Sequence, residues 1–151
     1  QTKVILERLK NGMLDAAIMA TPLKQDSIIE KPLYYEPFMA YVPKDHRLFP
    51  EKFIDNTDLQ ENDLLLLNEG HCFRNSVINL CKNFFDKNSE KSVKLESGSF
   101  ETLIRLSNQG FGMTLVPYLT SLEIKSEENK DCVKPFKYVA FNKPIKHSFS
   151  I

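Results

Sequence analysis

The sequence predicts an open α/β fold, and three stretches predict it. Thr2–Lys10 carries Val4, Ile5, Leu6 and Leu9 at helical spacing, and Gly12 then leads into an apolar run over residues 14–20. Residues 63–67 form a short apolar run that passes through the turn Asn68-Glu69-Gly70-His71 into a helical pattern over 73–85. Phe100–Asn108 repeats the scheme: a helix, a glycine at Gly110, then an apolar strand over 111–117. Helix, tight glycine turn and buried strand make half of a βαβ unit, and its repetition implies a sheet covered by helices.

The elements follow in chain order. Thr2 is a plausible cap for the first helix and Gly12 its stop, with a strand at 14–20. The strand expected before this helix is missing, so the chain is expected to start inside a domain. Residues 32–43 read as one extended stretch centred on Phe38, Met39, Ala40, Tyr41 and Val42, followed by a polar loop at 45–50. A strand is expected at 93–97, and Ser99 can cap the helix that starts at Phe100. Residues 121–131 are rich in Glu, Lys and Ser and read as a solvated helix–loop connection. Strands are expected at 133–141 and 147–151, the last cut short by the chain end.

Composition narrows the function. The 151 residues, 42% hydrophobic and 11% aromatic, suffice for one good core or two small lobes. Twenty basic residues balance twenty acidic ones, and no helix-length patch gathers Lys and Arg. A chain gripping DNA phosphates alone would show such a patch, so DNA binding by this chain alone is not expected. No apolar run approaches the roughly 20 residues that span a bilayer, and no signal peptide opens the sequence. Three irregularly placed cysteines do not make a secreted disulfide framework, which points to a cytoplasmic protein.

In a reducing compartment a cysteine is a buried packer, a metal ligand or a redox centre. Cys72 stands where a strand has ended and a helix begins, between His71 and Arg74. Backbone N–H groups and the helix dipole there favour a thiolate, the species that attacks a peroxide oxygen to give a sulfenic acid. Cys81 is the thiol nearest in sequence. Nine residues of helix separate them by about 13.5 Å and about 900° of rotation, while a disulfide tolerates Cα atoms no more than about 7 Å apart. An intact helix and a bond between the two therefore exclude each other. Cys81 also lies beside the stripe Phe73, Val77, Leu80, Phe84, so from chemistry alone packing as a small buried hydrophobe is the stronger reading of it. Cys132, in a charged loop, reads as inert.

Gly70-His71-Cys72-x-Arg74 with Cys81 nine residues after Cys72 resembles the redox-active segment of the OxyR family of LysR-type regulators. Ser99-Phe100-Glu101-Thr102-Leu103 is similar to that family's Ser-Leu-Glu-Thr-Leu helix start. The strand from Gly110 to Pro117 resembles the Gly-x-Gly-Ile-x-x-Leu-Pro strand of LysR-type effector domains. The resemblance runs nearly end to end. It implies a two-lobed, periplasmic-binding-protein-like regulatory domain, truncated at both ends and lacking the DNA-binding domain. Residues 1–36 would belong to lobe I, 37–146 to lobe II with the redox loop, and 147–151 to a strand returning to lobe I.

The resemblance also implies the roles. Cys72 would be the peroxidatic cysteine, Cys81 the resolving one, and Cys72–Cys81 a reversible disulfide. His71, Thr2, Gly70 and Arg74 would bind or activate the peroxide. The protein would be a transcription activator and not an enzyme, without cofactor or metal. Its partners would be hydrogen peroxide, its own copies in a dimer or tetramer, and a reductant of glutaredoxin or thioredoxin type. Promoter DNA and RNA polymerase would be reached only through the full-length protein, and no membrane is involved. Departures from the pattern are Asn75, where the family often has Asp, and Lys146-His147, where it often has a pair of arginines. Other readings are a thiol peroxidase, a metabolite-binding effector domain, and a metal site from His71, Cys72, Cys81 and His46. The spacing lacks the Cys-x-x-Cys hooks of structural zinc.

Overall fold

The computed structural model describes residues 2–21, 23, 25–59, 63–81, 95–124, 129–137 and 147–150, of which 20, 21, 72 and 147–150 are described by backbone alone. Among the described residues four helices and nine strands follow one another: α1 (Thr2–Lys10), β1 (Met19–Thr21), β2 (Pro32–Glu36), β3 (Phe38–Tyr41), β4 (Ile54–Asp55), β5 (Leu64–Leu67), α2 (Cys72–Cys81), β6 (Glu96–Ser97), α3 (Phe100–Asn108), β7 (Met113–Pro117), α4 (Tyr118–Ile124), β8 (Val133–Lys137) and β9 (His147–Ser150). The mixed α/β architecture expected from the sequence is observed. Two sheets organise it. One has the order β1-β9-β2, the other β4-β8-β3-β7-β5-β6. In the larger sheet β3 is antiparallel to β7 and β8, while β4, β5 and β6 run parallel to their neighbours. β3 thus runs against the other five.

That sheet carries the main core. All four leucines of β5 are buried, as a central strand covered on both faces requires. They pack with Phe38, Val77, Leu80, Cys81, Leu103, Met113 and Leu115. Helix α1, by contrast, has no buried residue. Helices α1 and α3 end in the same way. The Gly12 and Met13 N–H groups donate to the Leu9 and Arg8 carbonyls, at 3.2 and 2.8 Å. Those of Gly110 and Phe111 donate to Ser107 and Leu106, at 2.9 and 3.3 Å. Both ends have the Schellman pattern.

Several expectations need correction. Of the strand expected at 14–20, only Met19–Thr21 pairs, with Ser150, Phe149 and Ser148 of β9. Ile18 is 67% exposed. The single stretch over 32–43 is two strands in different sheets, divided at Pro37, whose carbonyl accepts from the Tyr118 N–H at 3.2 Å. β4 gave no periodic signal, since it is two residues long with Ile54 fully buried. Helix α4 starts earlier than expected, directly after Pro117, and buries Ser121. Thr2 is the first residue of α1. Cys132, read as lying in an open charged loop, is buried in a short turn of 3₁₀-helix at Lys130–Cys132. The rest of the helix at 73–85 and of the strands at 93–97 and 133–141 lies outside the described residues.

Candidate functional site

The topology puts the ends of several elements together. Since β3 runs against β5 and β7, its first residue, Phe38, lies opposite Pro117, the last of β7. The carboxyl ends of β5 and β6 share that end of the sheet, and α2 and α3 start from it. Such an edge is where open α/β sheets bind ligands. Cys72 is the first residue of α2, so its backbone sits at the positive end of the helix dipole. Gly70, at φ 91°, turns the chain from β5 into this helix, with the His71 N–H directed at the Asn68 carbonyl.

The residues around Cys72 differ sharply in environment. His71 is exposed. Phe73 is buried between Phe38 and Phe100, with ring centroids at 5.1 and 5.2 Å. This cluster fixes the first turn of α2 to β3 and α3, and nothing in the sequence had singled it out. Arg74, like any charge on a helix, can stand in solvent or find a buried partner. Its side chain is only 15% exposed, and Nη2 donates to Glu96 Oε1 at 2.7 Å. Glu96 lies 22 positions away, so no local pattern could have paired them. Thr2 is half-buried at the start of α1. Helix α2 also contacts β1, which follows α1. Lys146 lies outside the described residues, and His147 is described by backbone alone.

Cys81 is a free thiol at the far end of the same unbroken helix, fully buried in the core. The two cysteine Cα atoms are thus about 13.5 Å apart along the helix. Burial pushes the Cys81 thiol from 9.0 up to about 12. A folded-state value raised in this way contributes stability below the unfolded value and loses it as pH rises through the folded one. Stability is therefore expected to fall above about pH 9, by up to about 1.4 kcal/mol per unit. Cys81→Ala should flatten the slope between pH 9 and 10 in urea melts, and an unchanged slope would contradict it. At neutral pH Cys81 in place is a thiol shielded from reagents.

Cys132 has a different setting. It is 1% exposed, and its carbonyl accepts from the Val42 N–H at 2.8 Å. Burial raises its thiol, opposed by the Tyr41 hydroxyl and by Lys44 and Lys134. It packs beside Tyr41, whose hydroxyl donates to Asn108 Oδ1 at 2.7 Å. A cavity of about 380 Å³ lined by Lys44, His46, Asn108 and Cys132 lies at the end of β3 away from Cys72. His46, enlisted by the metal alternative, also belongs there. Its Nδ1 accepts from the Leu48 N–H at 3.2 Å, and its Nε2 lies 3.2 Å from Asp63 Oδ2.

Known proteins resemble this chain over most of its length. The model of the LysR substrate binding domain matches residues 1–128. The chain is 30% identical over 141 residues to the DNA-binding transcriptional dual regulator OxyR of Escherichia coli K12, covering 89% of this chain and 44% of that protein. It thus spans under half the length of that relative. Among solved structures, an OxyR mutant from Porphyromonas gingivalis superposes with a TM-score of 0.79 at 31% identity, over 99% of this chain and 65% of that one. An H2O2-bound cysteine-to-serine mutant of Corynebacterium glutamicum OxyR gives 0.80 at 26% identity, over 99% of this chain and 46% of that one. With its mixed sheet and these matches, the chain belongs to the LysR substrate-binding-domain family, and within it is similar to OxyR proteins.

Proposed function

We propose that this chain senses hydrogen peroxide through Cys72 and reports it by a reversible Cys72–Cys81 disulfide. The observation that carries the reading is one helix with a cysteine at each end: Cys72 at its positive terminus and Cys81 sealed in the core. The Cys72 thiolate attacks one peroxide oxygen, the O–O bond breaks, and hydroxide leaves to be protonated to water. His71, Gly70, Arg74 and Thr2 bind the peroxide or favour the thiolate. Cys81 then attacks the sulfenic sulfur, the S–O bond breaks, and hydroxide leaves with the Cys81 proton as a second water. Two electrons pass from the two thiols to the peroxide. One cycle leaves a disulfide that a glutaredoxin- or thioredoxin-type reductant resets, so the chain acts as a switch and not as an enzyme.

Residues 1–36 and 147–151 form part of lobe I in this reading, and residues 37–146 form lobe II. The whole protein is a cytoplasmic transcription activator of the peroxide response that works as a dimer or tetramer. It reaches promoter DNA and RNA polymerase through a separate DNA-binding domain. Among the described residues no helix is long and apolar enough to cross a membrane.

Mass spectrometry of free thiols after one equivalent of peroxide tests the assignment. Cys72→Ser should lower the reaction rate by at least about 100-fold, to that of an ordinary buried thiol. Cys81→Ser should react once and accumulate a sulfenic or over-oxidised Cys72. Cys132→Ser should behave as wild type. Equal peroxide consumption by wild type and Cys72→Ser would refute the proposal.

A further inference from the structure

We infer that Glu96 is a positioning residue for this switch: through Arg74 it holds the first turn of α2 on β6 and so governs how readily the helix releases for disulfide closure. The inference rests on the peroxide-sensing reading above and adds to it a residue that neither the motif nor the sequence pattern contains.

The two ends of the ion pair sit on parts with opposite fates. Arg74 lies between Cys72 and Cys81, in the segment that must open before the sulfurs can meet. Glu96 lies on β6, which is hydrogen-bonded to β5 through the Leu66–Glu96 and Leu67–Ser97 registers. The carboxylate is thus anchored to the sheet while its partner belongs to the moving helix. The guanidinium is largely enclosed, 15% exposed against 31% for Glu96, and its Nε is buried without a hydrogen-bond partner among the described residues. Removing the carboxylate leaves a mostly buried cation without its counter-charge, which penalises the closed helix. The opened segment, with Arg74 in water, pays no such penalty. Loss of the Glu96 charge therefore favours opening.

The step that the latch governs is the second, in which the Cys81 sulfur displaces hydroxide from the Cys72 sulfenic acid. Glu96→Gln should accelerate disulfide closure about two- to fivefold, the range for a partly exposed ion pair. The formation of the sulfenic acid should stay within about twofold of wild type. Closure in wild type should also speed up with added salt, which screens the pair, and Glu96→Gln should lose most of that dependence. A residue that merely filled space would not produce the salt signature. Glu101→Gln is the control, since it removes the Arg105–Glu101 pair on the exposed face of α3, where both side chains are about three-quarters exposed.

Quenched-flow mass spectrometry of this chain after a peroxide pulse resolves the two steps. First-step rates come from Cys81→Ser with a sulfenic-acid trap, and closure rates from chains that keep both cysteines. Faster, salt-insensitive closure in Glu96→Gln, with Glu101→Gln like wild type, supports the inference. Trapped sulfenic acid with closure unchanged or slower in Glu96→Gln, or an equal effect from Glu101→Gln, overturns the role of Glu96 and leaves the sensor reading intact. No trapped sulfenic acid overturns both. Should Glu96→Gln fail to fold, the wild-type salt series decides alone, and salt-independent closure refutes the latch.

Discussion

Joining Cys72 to Cys81 is expected to strip amide protection from residues 73–81 by on the order of 100-fold or more, while β7 and α3 keep theirs. The reason is geometric. About 13.5 Å of helix separates the two Cα atoms, and a disulfide allows no more than about 7 Å. Opening two turns gives up several backbone hydrogen bonds, each worth about 0.5–1.5 kcal/mol net. It also lifts Phe73, Val77 and Leu80, all buried, at about 1.5–3 kcal/mol for each side chain fully exposed. Phe73 further loses its contacts with Phe38 and Phe100. Several kcal/mol set against the bond corresponds to a potential raised by on the order of 100 mV, which makes the disulfide readily reducible by cellular thiols. The released apolar side chains would change the surface that the chain presents, the kind of two-state element a switch requires. Hydrogen exchange on both redox forms measures this directly. Unchanged protection of 73–81 after a confirmed Cys72–Cys81 bond would defeat the mechanism.

Gly112→Ala is expected to cost at least about 3 kcal/mol and lower the melting temperature by about 10 °C. Gly112 has φ 138°, a conformation that side-chain-bearing residues rarely adopt. A Cβ placed there would lie 2.2 Å from the Asp63 carbonyl oxygen and 2.8 Å from its carbon, and both are backbone atoms that cannot turn away. Asp63 and Gly112 immediately precede the Leu64–Met113 pair that begins the β5–β7 ladder. The clash therefore pries apart two interior strands of the sheet, and β5 is the strand that leads to Cys72. Gly98→Ala is the comparison, since its new Cβ would meet only Asn68 Nδ2 at 3.9 Å. Calorimetry on the two variants should separate them clearly. A Gly112→Ala chain melting within 2 °C of wild type would show that the strands yield more easily than this packing implies.

Much of the site was legible because its signals are local. The helix start at Cys72, the turn at Gly70 and the cap at Ser99 depend on residues within a few positions of one another, and the Ser99 hydroxyl does accept from the Thr102 N–H at 3.3 Å. The burial of Cys81 was legible too, since its place beside Phe73, Val77 and Leu80 follows from helical periodicity. The type of most long elements came from the same source: hydrophobic spacing and glycine at helix ends act within one or two turns of chain.

What only the tertiary structure decided depends on partners far away in sequence. The stretch around Pro37 is extended throughout, and local propensity cannot say that its halves join different sheets. That is decided by β9 pairing with one half while β7 and β8 pair with the other. Cys132 is buried beside Tyr41, with its carbonyl accepting from the Val42 N–H of a distant strand end. Arg74 looks like any charge on a helix until β6 brings Glu96 to 2.7 Å. The sequence by itself determined the α/β class, the cysteine at a helix start and the thiol hidden at the other end. The register of the sheet decided which charge holds that helix down, because backbone pairing over long separations is what sets distant side chains face to face.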